Sequence, residues 1–244
     1  IEGFNRNAIK SGISIMRIFD ALNDLNNLTQ TIKAVKDNGG LADCAVCYTV
    51  DPKISKMDKI KTMIHRGKPY KPIFTNNYFI IKAKNLENMG ADIISIKDMA
   101  GLIPPSKTGA IISQLKKDIS VPINFHTHCT PGYGLASTLM AIVNNVDIVD
   151  TCIMNFAGGS AAPAFELIQI FCNKLNIETN VNLQVVSKIN KILQEIRKEL
   201  SQFDENKLFP IEFDISNYKL PKNIDKLFDM AIEYAISDNE EKLL

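Results

Sequence analysis

Long apolar runs are missing from this 244-residue chain. None approaches the roughly 20 residues needed to span a bilayer. Charge of one sign is also missing: the formal net charge is +1, so there is no basic field to attract nucleic acid and no charged block to serve as an interaction tail. The opening residues, Ile1-Glu2-Gly3-Phe4, are not a basic segment followed by a long apolar one, and no secretory signal is read in them. They also lack an initiator Met, so the sequence is expected to be a fragment or a processed piece. No Gly-rich phosphate loop follows the first strand-like run, which argues against a nucleotide-binding Rossmann unit. Histidine is scarce, at three residues, so a place where two of them fall together carries weight.

What is present is ordinary for a folded protein. Hydrophobic residues make up 45% and charged residues 23%, and the length suffices for one large domain with a substantial core. The five cysteines form an odd set and read as reduced thiols in a cytoplasmic protein. Cys44 and Cys47 have CxxC spacing. Positions three apart on a strand face opposite ways, so no shared metal or disulfide is expected there.

Short apolar runs alternate with longer amphipathic stretches. The strand candidates are Ile13–Phe19, Ala42–Tyr48, Asp92–Ile96, Ile123–His128 and Val146–Ile153. They are almost continuously apolar, as strands covered on both faces tend to be. Helical patterns lie between and after them, at about Leu25–Asn38, Tyr78–Met89, Lys107–Ile119, Leu135–Asn145 and Ala164–Leu175. Asp37-Asn38-Gly39-Gly40 and Asn88-Met89-Gly90 supply stop signals. This βα series predicts an α/β fold with a parallel sheet. Polar residues collect at successive strand ends, where a (β/α)₈ TIM barrel places its chemistry. About five βα units are present, so the first strands of an intact barrel are expected to lie outside this sequence. Residues 1–175 are read as a partial barrel, with an insertion at about 49–74 that contains His65. Residues 176–244 are read as a C-terminal helical extension, with helices at Leu183–Phe203 and Asn223–Ser237.

In Ile123-Asn124-Phe125-His126-Thr127-His128, extended backbone aims His126 and His128 at the same face. Two imidazoles suit zinc, manganese, cobalt or iron, but they are too few for a tight site. Lys97 ends the preceding strand candidate. A protonated amine repels a cation, so a lysine beside a metal has to be neutral or modified. Burial favours the neutral amine, which combines with carbon dioxide to give an anionic carbamate. Arg17, on the first strand, is suited to hold a carboxylate by two points, or to pair structurally with nearby Asp20. Metal and arginine together suggest a 2-oxo acid, its carbonyl polarised and its carboxylate clamped.

Five blocks carry a family resemblance: Arg17-Ile18-Phe19-Asp20-Ala21-Leu22-Asn23-Asp24, Ile96-Lys97-Asp98-Met99-Ala100-Gly101-Leu102, His126-Thr127-His128, Asp147-Ile148-Val149-Asp150-Thr151 and Gly158-Gly159-Ser160. Over about residues 4–175 the chain resembles the carboxyltransferase domain of biotin-dependent enzymes. That group includes pyruvate carboxylase, the oxaloacetate decarboxylase alpha subunit and the transcarboxylase 5S subunit. The resemblance implies Lys97 as a carboxylated metal ligand, His126 and His128 as the imidazole ligands, Arg17 on the carboxylate of pyruvate or oxaloacetate, and Cys47 near the substrate. It implies a divalent metal (zinc, manganese or cobalt) and biotin as cofactors. The implied reaction moves a carboxyl group between biotin and the methyl carbon of pyruvate, through an enolate. The implied partners are a biotin carboxyl carrier domain and, in decarboxylase pumps, membrane subunits; a homo-oligomer is expected.

The sequence also departs from the family pattern. The Asp-x-x-Gln-type motif that supplies a further metal ligand has no counterpart before Arg17. Gly158-Gly159-Ser160-Ala161-Ala162-Pro163 stands where relatives have Gly-Gly-Thr-Ser-Gln-Pro. Two alternatives stay open: a metal-dependent aldol- or Claisen-type barrel lyase or synthase, and a catalytically inactive barrel fragment. Lys97 immediately before the Asp-x-x-Gly turn favours carboxyl transfer over the lyase reading.

Overall fold

Five parallel strands lie side by side in chain order: β1 (Ile15–Ile18), β2 (Leu41–Cys47), β3 (Ile93–Asp98), β4 (Ile123–Thr127) and β5 (Ile148–Val149). A doubly wound sheet reverses its strand order at a switch point, and this sheet does not. It is an open arc of a TIM-type barrel, as the alternating sequence pattern predicts. The protein is represented by a computed structural model that describes residues 1–52, 54–55, 57, 60–61, 63–64, 69–203, 222 and 226. His65 and all but Lys226 of the helix expected over Asn223–Ser237 lie outside the described residues.

Helices pack against one face of the arc, and the last of them lies beyond it on the 154–156 turn. They are α1 (Glu2–Lys10), α2 (Thr29–Asp37), α3 (Asn76–Asn88), α4 (Pro105–Asp118), α5 (Gly134–Val143), α6 (Phe165–Lys174) and α7 (Leu183–Glu199). Local chemistry sets their limits. The Thr75 side chain caps α3 by accepting from the Tyr78 N–H. Pro105 opens α4, where its missing N–H is harmless. Gly39 and Gly90 take left-handed φ values of 80° and 98° just after α2 and α3. α1 has no counterpart among the helices expected from sequence, because its Asn- and Gly-containing stretch hides the apolar period.

Alternation along each strand divides the sheet into two faces. Ala42, Cys44 and Val46 of β2, Ile94 and Ile96 of β3, and Ile123 and Phe125 of β4 point to the helices. They pack with Val35 of α2, Phe79 and Leu86 of α3, and Ile111, Ile112 and Leu115 of α4, all of them inaccessible to solvent. Each such aliphatic or aromatic side chain contributes about 1.5–3 kcal/mol by leaving water. The opposite face carries Arg17, Asp43, Cys47, Ser95, Lys97, Asn124 and His126. Parallel pairing places Cys47 beside Lys97 and Lys97 beside His126 in one row across β2, β3 and β4.

The strand expected over Val146–Ile153 is shorter than its apolar run. Only Ile148 and Val149 pair with β4, and Cys152 then bridges to Ala164 instead. Among the described residues β5 has a strand neighbour on one side only, so the chain can turn away once Asp150 has donated its N–H to the Phe125 carbonyl at 3.1 Å. α7 packs on the turn Met154–Phe156, where the Asn155 side chain donates to the Asn190 carbonyl at 2.8 Å. No helix among the described residues is long and apolar enough to cross a membrane.

Candidate active site

Three nitrogens from two strand ends converge. Lys97 Nζ lies 3.4 Å from His126 Nε2, and His126 Nε2 lies 3.1 Å from His128 Nε2. The strand period brings His126 and His128 to one side, and strand pairing brings Lys97 beside them.

The outer nitrogen of each ring has a pure acceptor. His126 Nδ1 meets the Asp150 carboxylate at 2.7 Å, and His128 Nδ1 meets the Ser160 carbonyl at 2.5 Å. A carboxylate or carbonyl oxygen only accepts, so both Nδ1 atoms carry hydrogen. In the neutral rings both Nε2 atoms then present lone pairs to each other across 3.1 Å. That arrangement calls for a cation or a shared proton between them. Ligating histidines are commonly oriented through the outer nitrogen in this way. The donor set fits a borderline metal such as zinc. Among the described residues no group of three or more His, Cys, Asp and Glu side chains is arranged to hold an ion. The third donor within reach is the lysine nitrogen.

Arg17 is doubly engaged. Its Nε donates to Asp43 Oδ2 at 2.7 Å, and one terminal nitrogen donates to Asp150 Oδ2. Asp20, the partner considered from sequence proximity, instead caps its own turn, accepting from the Leu22 and Asp24 N–H groups and from Asn27. The contacts of Arg17 belong to a closed ring. The Ser95 hydroxyl donates to Asp43 at 2.6 Å, and Asn124 Nδ2 donates to Ser95 Oγ at 3.1 Å and to Asp150 Oδ2 at 3.4 Å. Arg17, Asp43, Ser95, Asn124 and Asp150 thus link β1 through β4 with the segment just after β5, beneath the histidines. Burial works against the charged form of Asp150. Hydrogen bonds and charge from His126 and Arg17 outweigh it and hold the carboxyl well below the usual carboxylate range. The Arg17 guanidinium gives up solvation on burial, but Asp150 and Asp43 more than compensate and raise its pKa.

Cys47 is buried at the end of β2. Burial pushes its thiol up in pKa against the opposing pull of Lys97, so it is a neutral S–H in the row beside the lysine. Its backbone is clamped from β1's side: Asn23 Nδ2 donates to the Cys47 carbonyl and the Cys47 N–H donates to Asn23 Oδ1, both at 2.8 Å. Asn23 holds this pose with a left-handed φ of 58°. Phe19 places its ring 4.9 Å from Lys97 Nζ.

Two supports escape the sequence reading. Asp98, next to Lys97, is inaccessible to solvent and accepts from the Leu102 and Ile103 N–H groups, each at 2.9 Å, and from the Thr127 hydroxyl at 3.0 Å. Burial raises its pKa despite these bonds. It folds the 98–103 turn under β4, and the Asp-x-x-Gly spelling was the available signal. The second support is the loop 158–162, which reaches His128 through the Ser160 carbonyl and Cys129 through the Ala161 carbonyl at 3.0 Å. Backbone acceptors leave no side-chain signature, so only the fold reveals this contact.

The HMGL-like family model matches residues 54–193. The chain is 32% identical over 221 residues to the pyruvate carboxylase of Bacillus subtilis, covering 91% of this chain and 18% of that protein. It is 30% identical over 244 residues to the 2-oxoglutarate carboxylase large subunit of Hydrogenobacter thermophilus, covering 99% of this chain and 34% of that one. Among solved structures it is similar to the carboxyl transferase domain of Rhizobium etli pyruvate carboxylase with pyruvate. There the TM-score is 0.72 and the identity 26%, over 96% of this chain and 37% of that chain. The chain therefore spans between 18% and 34% of the length of these two curated relatives.

Proposed function

The chain belongs to the HMGL-like family, and from that premise we propose that it forms the metal- and oxo-acid-binding part of a biotin-dependent carboxyltransferase. The observation that carries this reading is the convergence of Lys97 Nζ with the Nε2 atoms of His126 and His128. His126 and His128 would hold the ion through Nε2. Lys97 would complete the set as a carbamate: its neutral amine forms a bond to carbon dioxide, a proton leaves the nitrogen, and an anionic oxygen results. When bound, the ion supplies Lewis acidity toward the carbonyl of a 2-oxo acid.

The remaining work falls to the chain's own groups. Nη2 of Arg17 would donate to the substrate carboxylate, while Asp43 and Asp150 fix the plane of the guanidinium. Cys47, a neutral thiol in the same row, borders the space beside Lys97. The carboxyl group would be exchanged with biotin borne by a partner carrier domain. Pyruvate and 2-oxoglutarate, which the relatives' names cite, share the 2-oxo carboxylate, and Arg17 addresses that common part. The aldol- or Claisen-type alternative gives Lys97 no task at the imidazoles.

The test is a zinc titration, together with labelled carbon dioxide followed by NMR. The expected result is one ion per chain and a carbamate resonance that disappears in Lys97→Ala. Lys97→Ala and His128→Ala should each lose the ion. A chain that shows neither the ion nor the carbamate overturns the reading.

A further inference from the structure

Three donors from two strands meet at one oxygen. Asp150 Oδ2 accepts from His126 Nδ1 at 2.7 Å, from a terminal nitrogen of Arg17, and from Asn124 Nδ2 at 3.4 Å. Asp150 lies just beyond β5, the shortest strand, and its own N–H is tied to the Phe125 carbonyl. The carboxylate is therefore anchored by backbone while it orients side chains from β1 and β4.

We propose that Asp150 is a positioning residue that sets the tautomer of His126 and the orientation of Arg17 through a single carboxylate oxygen. This deepens the metal-site reading above and rests on it for its meaning, though not for its geometry. The chemistry is directional. A carboxylate that accepts from Nδ1 keeps the ring hydrogen there and leaves Nε2 bare, facing His128 and Lys97. Without it, a free imidazole has no reason to keep its hydrogen on Nδ1, and a hydrogen on Nε2 would occupy the lone pair that faces the site. Asn124 supports the arrangement. Its amide nitrogen serves Ser95 and Asp150, while its buried Oδ1 has no hydrogen-bond partner among the described residues. Reversing the amide would turn its oxygen against the Asp150 carboxylate.

The experiment compares the wild-type chain with Asp150→Ala and Asp150→Asn. Nitrogen–proton NMR of the metal-free chain reads the His126 tautomer, and a zinc titration reads affinity. The wild type should carry the His126 hydrogen on Nδ1, and Asp150→Ala should move it to Nε2. Zinc affinity should fall about 10- to 100-fold in Asp150→Ala. Asp150→Asn retains an acceptor oxygen and should recover most of that loss, which a general packing defect would not allow. A wild-type hydrogen on Nε2, or zinc affinity unchanged in Asp150→Ala, overturns the proposal. If Asp150→Ala fails to fold, the wild-type tautomer and the Asn variant decide. The two readings separate cleanly. A chain with Nδ1–H on His126 but no zinc binding would sink the metal site and leave the positioning role standing. A chain that binds zinc equally well with and without the Asp150 carboxylate would do the reverse.

Discussion

The Nε of Arg17 donates to the carboxylate of Asp43, its register partner on the neighbouring strand, at 2.7 Å. The Asp43 side chain is only 4% exposed, so this charge depends on the arginine for compensation. Lysine has one cationic nitrogen and cannot span Asp43 and Asp150 together. Arg17→Lys should lower stability by about 1–3 kcal/mol, read by urea unfolding, and should weaken pyruvate binding in a direct titration. Unchanged stability and unchanged pyruvate affinity would remove Arg17 from both roles.

Gly101 approaches the His128 backbone more closely than any other residue type could. A Cβ at this position would sit 2.4 Å from the His128 carbonyl oxygen and 2.8 Å from Pro131, and the residue's φ is +69°. The left-handed backbone alone costs an alanine roughly 1–2 kcal/mol, and the clash pushes the His128 segment outward. Gly101→Ala should therefore lower the melting temperature and weaken zinc binding together. A variant with lowered stability but wild-type zinc affinity would show that the turn does not place His128.

Asn23 completes the sheet where β1 has already ended, by pairing its side-chain amide with both backbone groups of Cys47. Asn23→Ala leaves two buried backbone groups unpartnered and keeps the unfavourable φ, with an expected loss of about 2–4 kcal/mol. Asn23→Gly loses the same bonds but relieves the backbone, and should be less damaging by about 1 kcal/mol. Equal losses in urea unfolding would mean that the left-handed conformation carries no penalty here.

Asp92 provides a pH signature remote from the histidines. Burial raises its pKa, but the Lys36 ammonium and the Ala42 N–H outweigh burial and lower it overall. A carboxyl with a depressed folded-state pKa stabilises the fold above its unfolded value of about 4 and loses that contribution as pH falls through the folded value. Urea unfolding between neutral pH and about pH 3 should show Asp92→Asn losing less stability on acidification than the wild type. Parallel pH profiles would remove Asp92 from the acid limb.

The barrel arc was legible because its signal is local. Short, largely apolar runs such as Ile93–Ile96, separated by longer amphipathic stretches, have the length and pattern of buried strands between helices, and the shared facing of His126 and His128 follows from the two-residue strand period. The family blocks around Arg17, Lys97 and His126 sharpened that into a chemistry. α1 escaped because Asn and Gly break its period. β5 is shorter than expected because an apolar run does not reveal how many neighbours a strand will have.

Sequence alone determined which side chains stand at strand ends and which face each takes, because backbone periodicity is a property of neighbours in the chain. Only the tertiary structure decided that Arg17 binds Asp43 and Asp150 rather than Asp20. It also decided that the Ser160 carbonyl orients His128 and that Lys97 stands within reach of His126. These contacts join residues from 26 to 133 positions apart. Such pairs meet only when strand register, itself set by packing the helix-facing core, brings distant segments side by side.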